Sequence, residues 1–202
     1  MLKLKKVVVT GGLATGKTTV CQIFRELGAY VVSADEIVHQ LLASNAAVVQ
    51  QIVDIFGTSI LSRGRIDRKK IAKRVFASKK ELSTLEGILH PLVFAEIDRM
   101  YEQVKLENRY QLFVSEIPLY FESDCPRTYD AVIAVVSDEH LCKERFLRDK
   151  QKTVLDFELR KTHQFDQREK ALRANYVLYN NGTPQELRSD VQALFTQLTA
   201  GE

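Results

Sequence analysis

The apolar residues of this chain fall first into a short unbroken run, Val7-Val8-Val9, closed by Gly11-Gly12. Its length and β-branching predict a strand buried on both faces. From Thr18 to Leu27 the spacing changes, because Val20, Ile23, Phe24 and Leu27 recur at helical intervals before Gly28. A second apolar segment, Ala29 to Val32, runs into Ser33-Ala34-Asp35, so strand, helix and strand form one β-α-β unit.

Residues 36 to about 108 have a mostly helical pattern, with breaks expected at Phe56-Gly57 and at His90-Pro91, where proline suits the first turn of a new helix. A third strand is expected over Gln111 to Ile117, bounded by Pro118, and a fourth over Ala131 to Val136. Ser137 is then placed to cap a helix running through Arg148. Residues 149 to 173 are charged and helical with few core-type positions, which predicts an exposed or mobile helical hairpin acting as a lid. Tyr176 to Tyr179 reads as a fifth strand. Thr183-Pro184-Gln185-Glu186 then combines a capping threonine, a first-turn proline and a capping-box glutamate. The stripe Leu187, Val191, Leu194, Phe195, Leu198 gives the last helix a face for the sheet.

A chain of 202 residues is long enough for one well-buried core with an inserted subdomain. No stretch approaches the roughly 18 uninterrupted apolar residues of a membrane span, and MLKLKKVVVTGG lacks the apolar region of a signal peptide. Cys21, Cys125 and Cys142 are odd in number and widely spaced, which predicts neither a disulfide framework nor a zinc site. A reducing cytoplasm is the expected compartment, and no membrane partner is expected. The four histidines have no paired spacing, so no transition metal is expected. The net charge of +3 is concentrated in RGRIDRKKIAKR, residues 63 to 74, where seven basic side chains face the single acid Asp67. That run reads either as a solvated helix face or as a binder of phosphates. Without interleaved aromatics or a nucleic-acid-binding signature, no nucleic-acid partner is expected.

Chemistry enters at Gly11, Gly16, Lys17 and Thr18, which satisfy G-x-x-x-x-G-K-[ST] between a predicted strand and a predicted helix. Glycines let successive backbone N–H groups turn inward on an anion, and the following helix adds its positive amino end. Lys17 supplies a mobile charge for terminal phosphates, and Thr18 a hydroxyl oxygen suited to Mg²⁺. Asp35, after the second strand, is placed on the same sheet edge as the glycine loop. It reads either as the base that takes the proton of an acceptor hydroxyl or as the cap of a helix beginning near Glu36. Glu116 reads as an acid acting on Mg²⁺ through water or as a locally paired glutamate, and Arg145 and Arg148, three apart on a helix, as phosphate contacts or surface charges.

Taken in order, these segments resemble dephospho-coenzyme A kinase over nearly the whole chain. TGGLATGKTTV is similar to the family's T-G-G-I-G-S-G-K-S-T-V, and Ser33-Ala34-Asp35 to its D-A-D. Ile66-Asp67-Arg68 through Val75-Phe76, Leu85-Glu86 with His90-Pro91, and Ile117-Pro118-Leu119-Tyr120-Phe121-Glu122 follow its pattern. Arg145 with Arg148-Asp149, Arg160 with Gln164, and Asn180-Asn181-Gly182 complete it. The resemblance implies a P-loop kinase fold, a three-layer α/β/α with a five-stranded parallel sheet. Its core would be residues 1–35, 106–148 and 174–202, with a helical coenzyme-A-binding insertion at 36–105 and a lid at 149–173. It implies ATP as phosphoryl donor with Mg²⁺, and dephospho-CoA as a small-molecule acceptor phosphorylated on its ribose 3′-hydroxyl. Gly12, Leu13, Ala14, Thr15, Gly16, Lys17, Thr18 and Thr19, with Arg145, are then expected at ATP. Asp35, Lys17 and Arg148 are expected in catalysis, Arg68 and His90 beside Asp35 at the acceptor, and Thr18 at the metal. A monomer or weak homo-oligomer is expected. Three departures stand out: Ala14 replaces a loop glycine, Ser33 the first aspartate of D-A-D, and Asn175 an aspartate before the last strand.

Overall fold

The structure is a computed structural model that describes residues 3–75, 77–123 and 129–200; Phe76 and Cys125 of the sequence reading lie outside the described residues. In chain order the elements begin with β1 (Lys5–Gly11), α1 (Lys17–Glu26), β2 (Tyr30–Ser33), α2 (Ala34–Ser44) and α3 (Ala46–Phe56). A 3-10 turn at Thr58–Ile60 leads to β3 (Leu61–Ser62), β4 (Arg65–Ile66), α4 (Arg68–Val75) and α5 (Lys79–Glu107). Then come β5 (Leu112–Glu116), β6 (Ala131–Val136), α6 (Glu139–Leu147), α7 (Val154–Lys161), α8 (Gln167–Arg173), β7 (Tyr176–Tyr179) and α9 (Pro184–Thr199). The chain divides into two compact units, one joining the chain up to Ser33 with the chain from Met100 onward, the other spanning Ala34–Arg99.

The first unit is built on a five-stranded sheet of order β2-β5-β1-β6-β7 whose pairings are all parallel. Val7 and Val9 of β1, Val114 of β5 and Ile133 and Val135 of β6 point to one face, where α1 brings Val20 and Phe24 and α9 brings Leu187, Val191, Leu194 and Leu198. Fully burying a Val, Leu or Phe side chain contributes roughly 1.5–3 kcal/mol. Val8, Phe113 and Ala134 are just as buried on the opposite face, where Tyr101 lies edge-on to Phe113 at 5.4 Å. Registers set Gly11 beside Val135, Val9 and Ser33 beside Glu116, and Val136 beside Tyr179, so one sheet edge collects the carboxyl end of every strand. The chain leaves β1 toward β2 on one side and later fills β6 and β7 on the other, which makes the end of β1 the switch point where such sheets bind ligands.

In the second unit α2, α3, α4 and the first half of α5 close over Leu42, Ile52, Phe56, Ile60, Ile71 and Leu89. The basic run is not one helix face. Its first residues form a two-residue hairpin between β3 and β4, with Arg63 at φ 51 and Gly64 at φ 76. Asp67 Oδ1 then accepts from the N–H groups of Lys69 and Lys70 and starts α4. Arg74 pairs with Glu81 at 2.7 Å and donates to the Phe56 carbonyl, while Lys70 Nζ donates to Leu61 O at 2.7 Å.

Two expectations about helices are corrected. No break occurs at His90-Pro91: α5 runs through Pro91, because Leu85 and Leu89 before it and Val93, Phe94 and Ile97 after it are all buried, outweighing the one missing donor. Ser137 does not cap α6, whose N-cap is Asp138, since its hydroxyl is turned toward Asn180 and Asn181 instead.

Candidate active site

The loop between β1 and α1 is built on two glycines that tolerate no side chain. At Gly16, φ is 100 and a Cβ would meet Asn180 Nδ2 at 2.1 Å; at Gly11, φ is 148 and a Cβ would meet the Val135 carbonyl oxygen at 2.3 Å. Gly12 is hemmed in by the Gln167 side chain. Thr15 Oγ1 donates to Gly12 O at 3.1 Å, and its own carbonyl accepts from Asn180 Nδ2 at 2.8 Å. Lys17, 8% exposed, curls back over the loop with Nζ 2.7 Å from Gly12 O and 3.1 Å from Gly11 O.

Ala14 sits at φ 58, so the loop takes the left-handed region at a residue that is not glycine. Its methyl packs with Leu13 against Cys142, Phe146 and Phe157. Relief of strain in Ala14→Gly is offset by the lost methyl and a freer unfolded chain, so stability is expected to change by less than about 1 kcal/mol. Ala14→Val puts a β-branched residue at that φ and is expected to cost about 2 kcal/mol. Urea denaturation of both variants checks this, and equal stabilities would contradict it.

Ala14, Gly16, Lys17, Thr18, Thr19, Arg145 and Arg148 line one cleft of about 620 Å³, together with Asn180 and Gly182 from the loop after β7. Thr18 Oγ1 donates to Glu116 Oε1 at 2.8 Å, bringing a hydroxyl at the start of α1 and a buried carboxylate at the end of β5 together. Beneath them, burial and then the Glu116 charge push the Cys21 thiol well up, so it packs as a neutral group. Arg145 is held by donating to Ser137 Oγ at 2.9 Å and Asn180 O at 2.8 Å; Arg148 is 72% exposed and pairs with Glu144 at 3.2 Å. Gly12 and Leu13 line a second cavity of about 500 Å³ with Leu155, Phe157 and Phe165.

Asp35, Arg68 and His90 lie in the second unit. Asp35 is exposed in the first turn of α2, a helix that already begins at Ala34, and Arg68 is the exposed first residue of α4. His90 is half-buried on α5, and burial lowers its pKa against the opposing pull of Glu86, favouring a neutral imidazole.

Three contacts escaped the sequence reading. Gln167 accepts from Ser137 N at 2.9 Å, Asn180 clamps Thr15, and Lys170, fully buried on α8, pairs with Glu122 at 2.8 Å. The segment 149–173 therefore does send groups into the core, through Phe157 and Lys170, which a count of apolar positions passes over. Asn180-Asn181-Gly182 was visible as a pattern, but its hold on the loop depends on a partner 165 residues away. Asn175 accepts from Val132 N at 2.8 Å and pins the start of β7.

A sequence profile of the dephospho-CoA kinase (CoaE) family matches residues 6–186. A protein of Protochlamydia amoebophila named dephospho-CoA kinase is 46% identical over 199 residues, covering 98% of both chains. Among solved structures, dephospho-CoA kinase from Campylobacter jejuni is 26% identical with a TM-score of 0.64, over 98% of this chain and 99% of that one. A crystal structure from Thermus thermophilus shares the fold at a TM-score of 0.79 and 24% identity, over 97% and 98% of the two chains. With its glycine loop, its five parallel strands and a match over almost its full length, the chain belongs to the dephospho-CoA kinase family.

Proposed function

We propose that the chain transfers the γ-phosphoryl group of ATP to the ribose 3′-hydroxyl of dephospho-CoA, giving CoA and ADP, the last step of coenzyme A formation. The observation that carries this reading is the convergence of Lys17, Thr18, Arg145 and Arg148 on one cleft in a chain that matches this family from residue 6 to 186. ATP phosphates lie against Gly12 through Thr19, with inward N–H groups and the amino end of α1 countering their charge. Lys17 leaves the Gly11 and Gly12 carbonyls for the β- and γ-phosphates, and Arg145 and Arg148 balance charge on the group in flight.

Asp35 is the acceptor-side base. It accepts the proton of the 3′-hydroxyl as that oxygen bonds to the γ-phosphorus and the bond to the β-phosphate oxygen breaks, leaving ADP. Its support is its place two residues beyond the end of β2 and its match to the second aspartate of D-A-D. Arg68 and the exposed part of the basic run meet acceptor phosphates; Arg74 already holds Glu81 and the Phe56 carbonyl. His90 offers the acceptor a neutral imidazole.

The oxygens of Thr18 and Glu116, 2.8 Å apart, fit Mg²⁺, which takes few protein ligands and completes its shell with phosphates and water. Thr18 would hold it directly and Glu116 through water; when bound, it neutralises phosphate charge. Among the described residues there is no cluster of three or more His, Cys, Asp or Glu, and no helix is long and apolar enough to cross a membrane. The cytoplasm is the proposed setting, supported by the free thiols of Cys21 and Cys142. The acceptor is a small molecule, dephospho-CoA, and a monomer or weak homo-oligomer is the proposed state.

An acceptor panel tests the reading. ADP formation is expected with dephospho-CoA and not with shikimate or nucleoside monophosphates; consumption of ATP with one of those and none with dephospho-CoA would reject it.

A further inference from the structure

Lys170 has no part in the reaction as derived, yet it is the one lysine of the described residues whose side chain is completely buried. It reaches from α8 into the base of the phosphate loop. Its Nζ donates to Pro118 O at 2.8 Å, pairs with Glu122 Oε1 at 2.8 Å and lies 3.5 Å from Gly11 O, at the long end of a hydrogen bond. Pro118 O also accepts from Thr10 Oγ1 at 3.0 Å, and Glu122 Oε1 from Phe165 N at 2.8 Å. One ammonium group thus ties together the end of β1, the turn after β5 that follows Glu116, and the segment leading into α8.

The shared acceptor matters most. Gly11 O and Gly12 O both accept from Lys17 Nζ, and each has a second side-chain donor: Lys170 Nζ on Gly11 O, Thr15 Oγ1 on Gly12 O. A buried carbonyl stripped of a donor costs more than one that keeps another. We propose that Lys170 is a positioning residue for nucleotide binding, holding the Gly11 carbonyl and the turn at Pro118 in place so that Lys17 can turn to the phosphates without leaving Gly11 O dependent on it. The inference rests on the reading of Lys17 as the phosphate lysine.

The test is ATP binding by calorimetry without acceptor, so that no turnover enters. Lys170→Met is expected to weaken ATP binding about tenfold, the scale of one buried hydrogen bond to a charged donor. Because that variant strands the Glu122 carboxylate and can fold poorly, the decisive protein is the double variant Lys170→Met/Glu122→Gln. Removing both charges is expected to restore thermal stability toward wild type while ATP affinity stays about tenfold down. Recovery of affinity together with stability would make Lys170 a folding residue and overturn the inference. Equal affinity in the wild type and both variants would overturn it too, leaving the kinase reading intact. Failure of the wild type itself to bind ATP would overturn both.

Discussion

Replacing Lys17 with alanine is expected to lower kcat/KM about 10³-fold, the scale of removing a preorganised charge from a site that stabilises a transferring group. Lys17 is 8% exposed and its Nζ already sits within hydrogen-bond reach of two loop carbonyls, so its rotamers are limited before phosphate arrives. Ordering it costs little at the moment of binding, and the charge of a side chain this buried is worth more than in water. Lys17→Arg is expected to rescue little, because a planar guanidinium does not fit the place of a compact ammonium between Gly11 O and Gly12 O. Steady-state kinetics, with circular dichroism to confirm folding, checks this; a loss below tenfold in a folded Lys17→Ala protein would take Lys17 out of the phosphate site.

The second large effect is expected at Asp35. Asparagine keeps the shape and loses the proton acceptor, so kcat should fall about 10²-fold while KM for ATP moves little. Asp35 is exposed in the first turn of α2, where substitutions usually change stability by no more than about 0.5 kcal/mol. Loss of turnover at unchanged thermal midpoint therefore separates chemistry from folding. Near-normal kcat in Asp35→Asn would reassign the residue to the start of α2 alone.

Ser33, the departure beside it, pairs in register with Glu116. Glu116, on that neighbouring strand, accepts from Thr18 Oγ1 at 2.8 Å.

How much of this was legible in the sequence follows the range of the forces involved. The strands at Ala131–Val136 and Tyr176–Tyr179 and the capped start of α9 are written in contiguous residues, and each stands where pattern and capping chemistry put it. The glycine loop is equally local, since Gly11, Gly16, Lys17 and Thr18 lie within eight consecutive residues. Ala14 was legible only conditionally: the methyl was visible, but that the loop needs φ 58 there was not. The uninterrupted helix through Pro91 was hidden because buried neighbours on both sides of the proline override a local stop signal. The hairpin at Leu61–Ile66 was hidden by the basic residues on either side of Gly64, which read as part of a charged run. Lys170 was the least legible of all: a lysine in a charged helix reads as surface, and Glu122 and the Pro118 carbonyl, 48 and 52 positions earlier, explain its burial.

The most direct measurement is the position of the new phosphate. With Mg²⁺, ATP and dephospho-CoA, the product is expected to match CoA by mass and to carry phosphorus coupled to the ribose 3′ proton in ³¹P–¹H NMR. Phosphorus at any other oxygen, or ATP hydrolysed with dephospho-CoA unchanged, would contradict it.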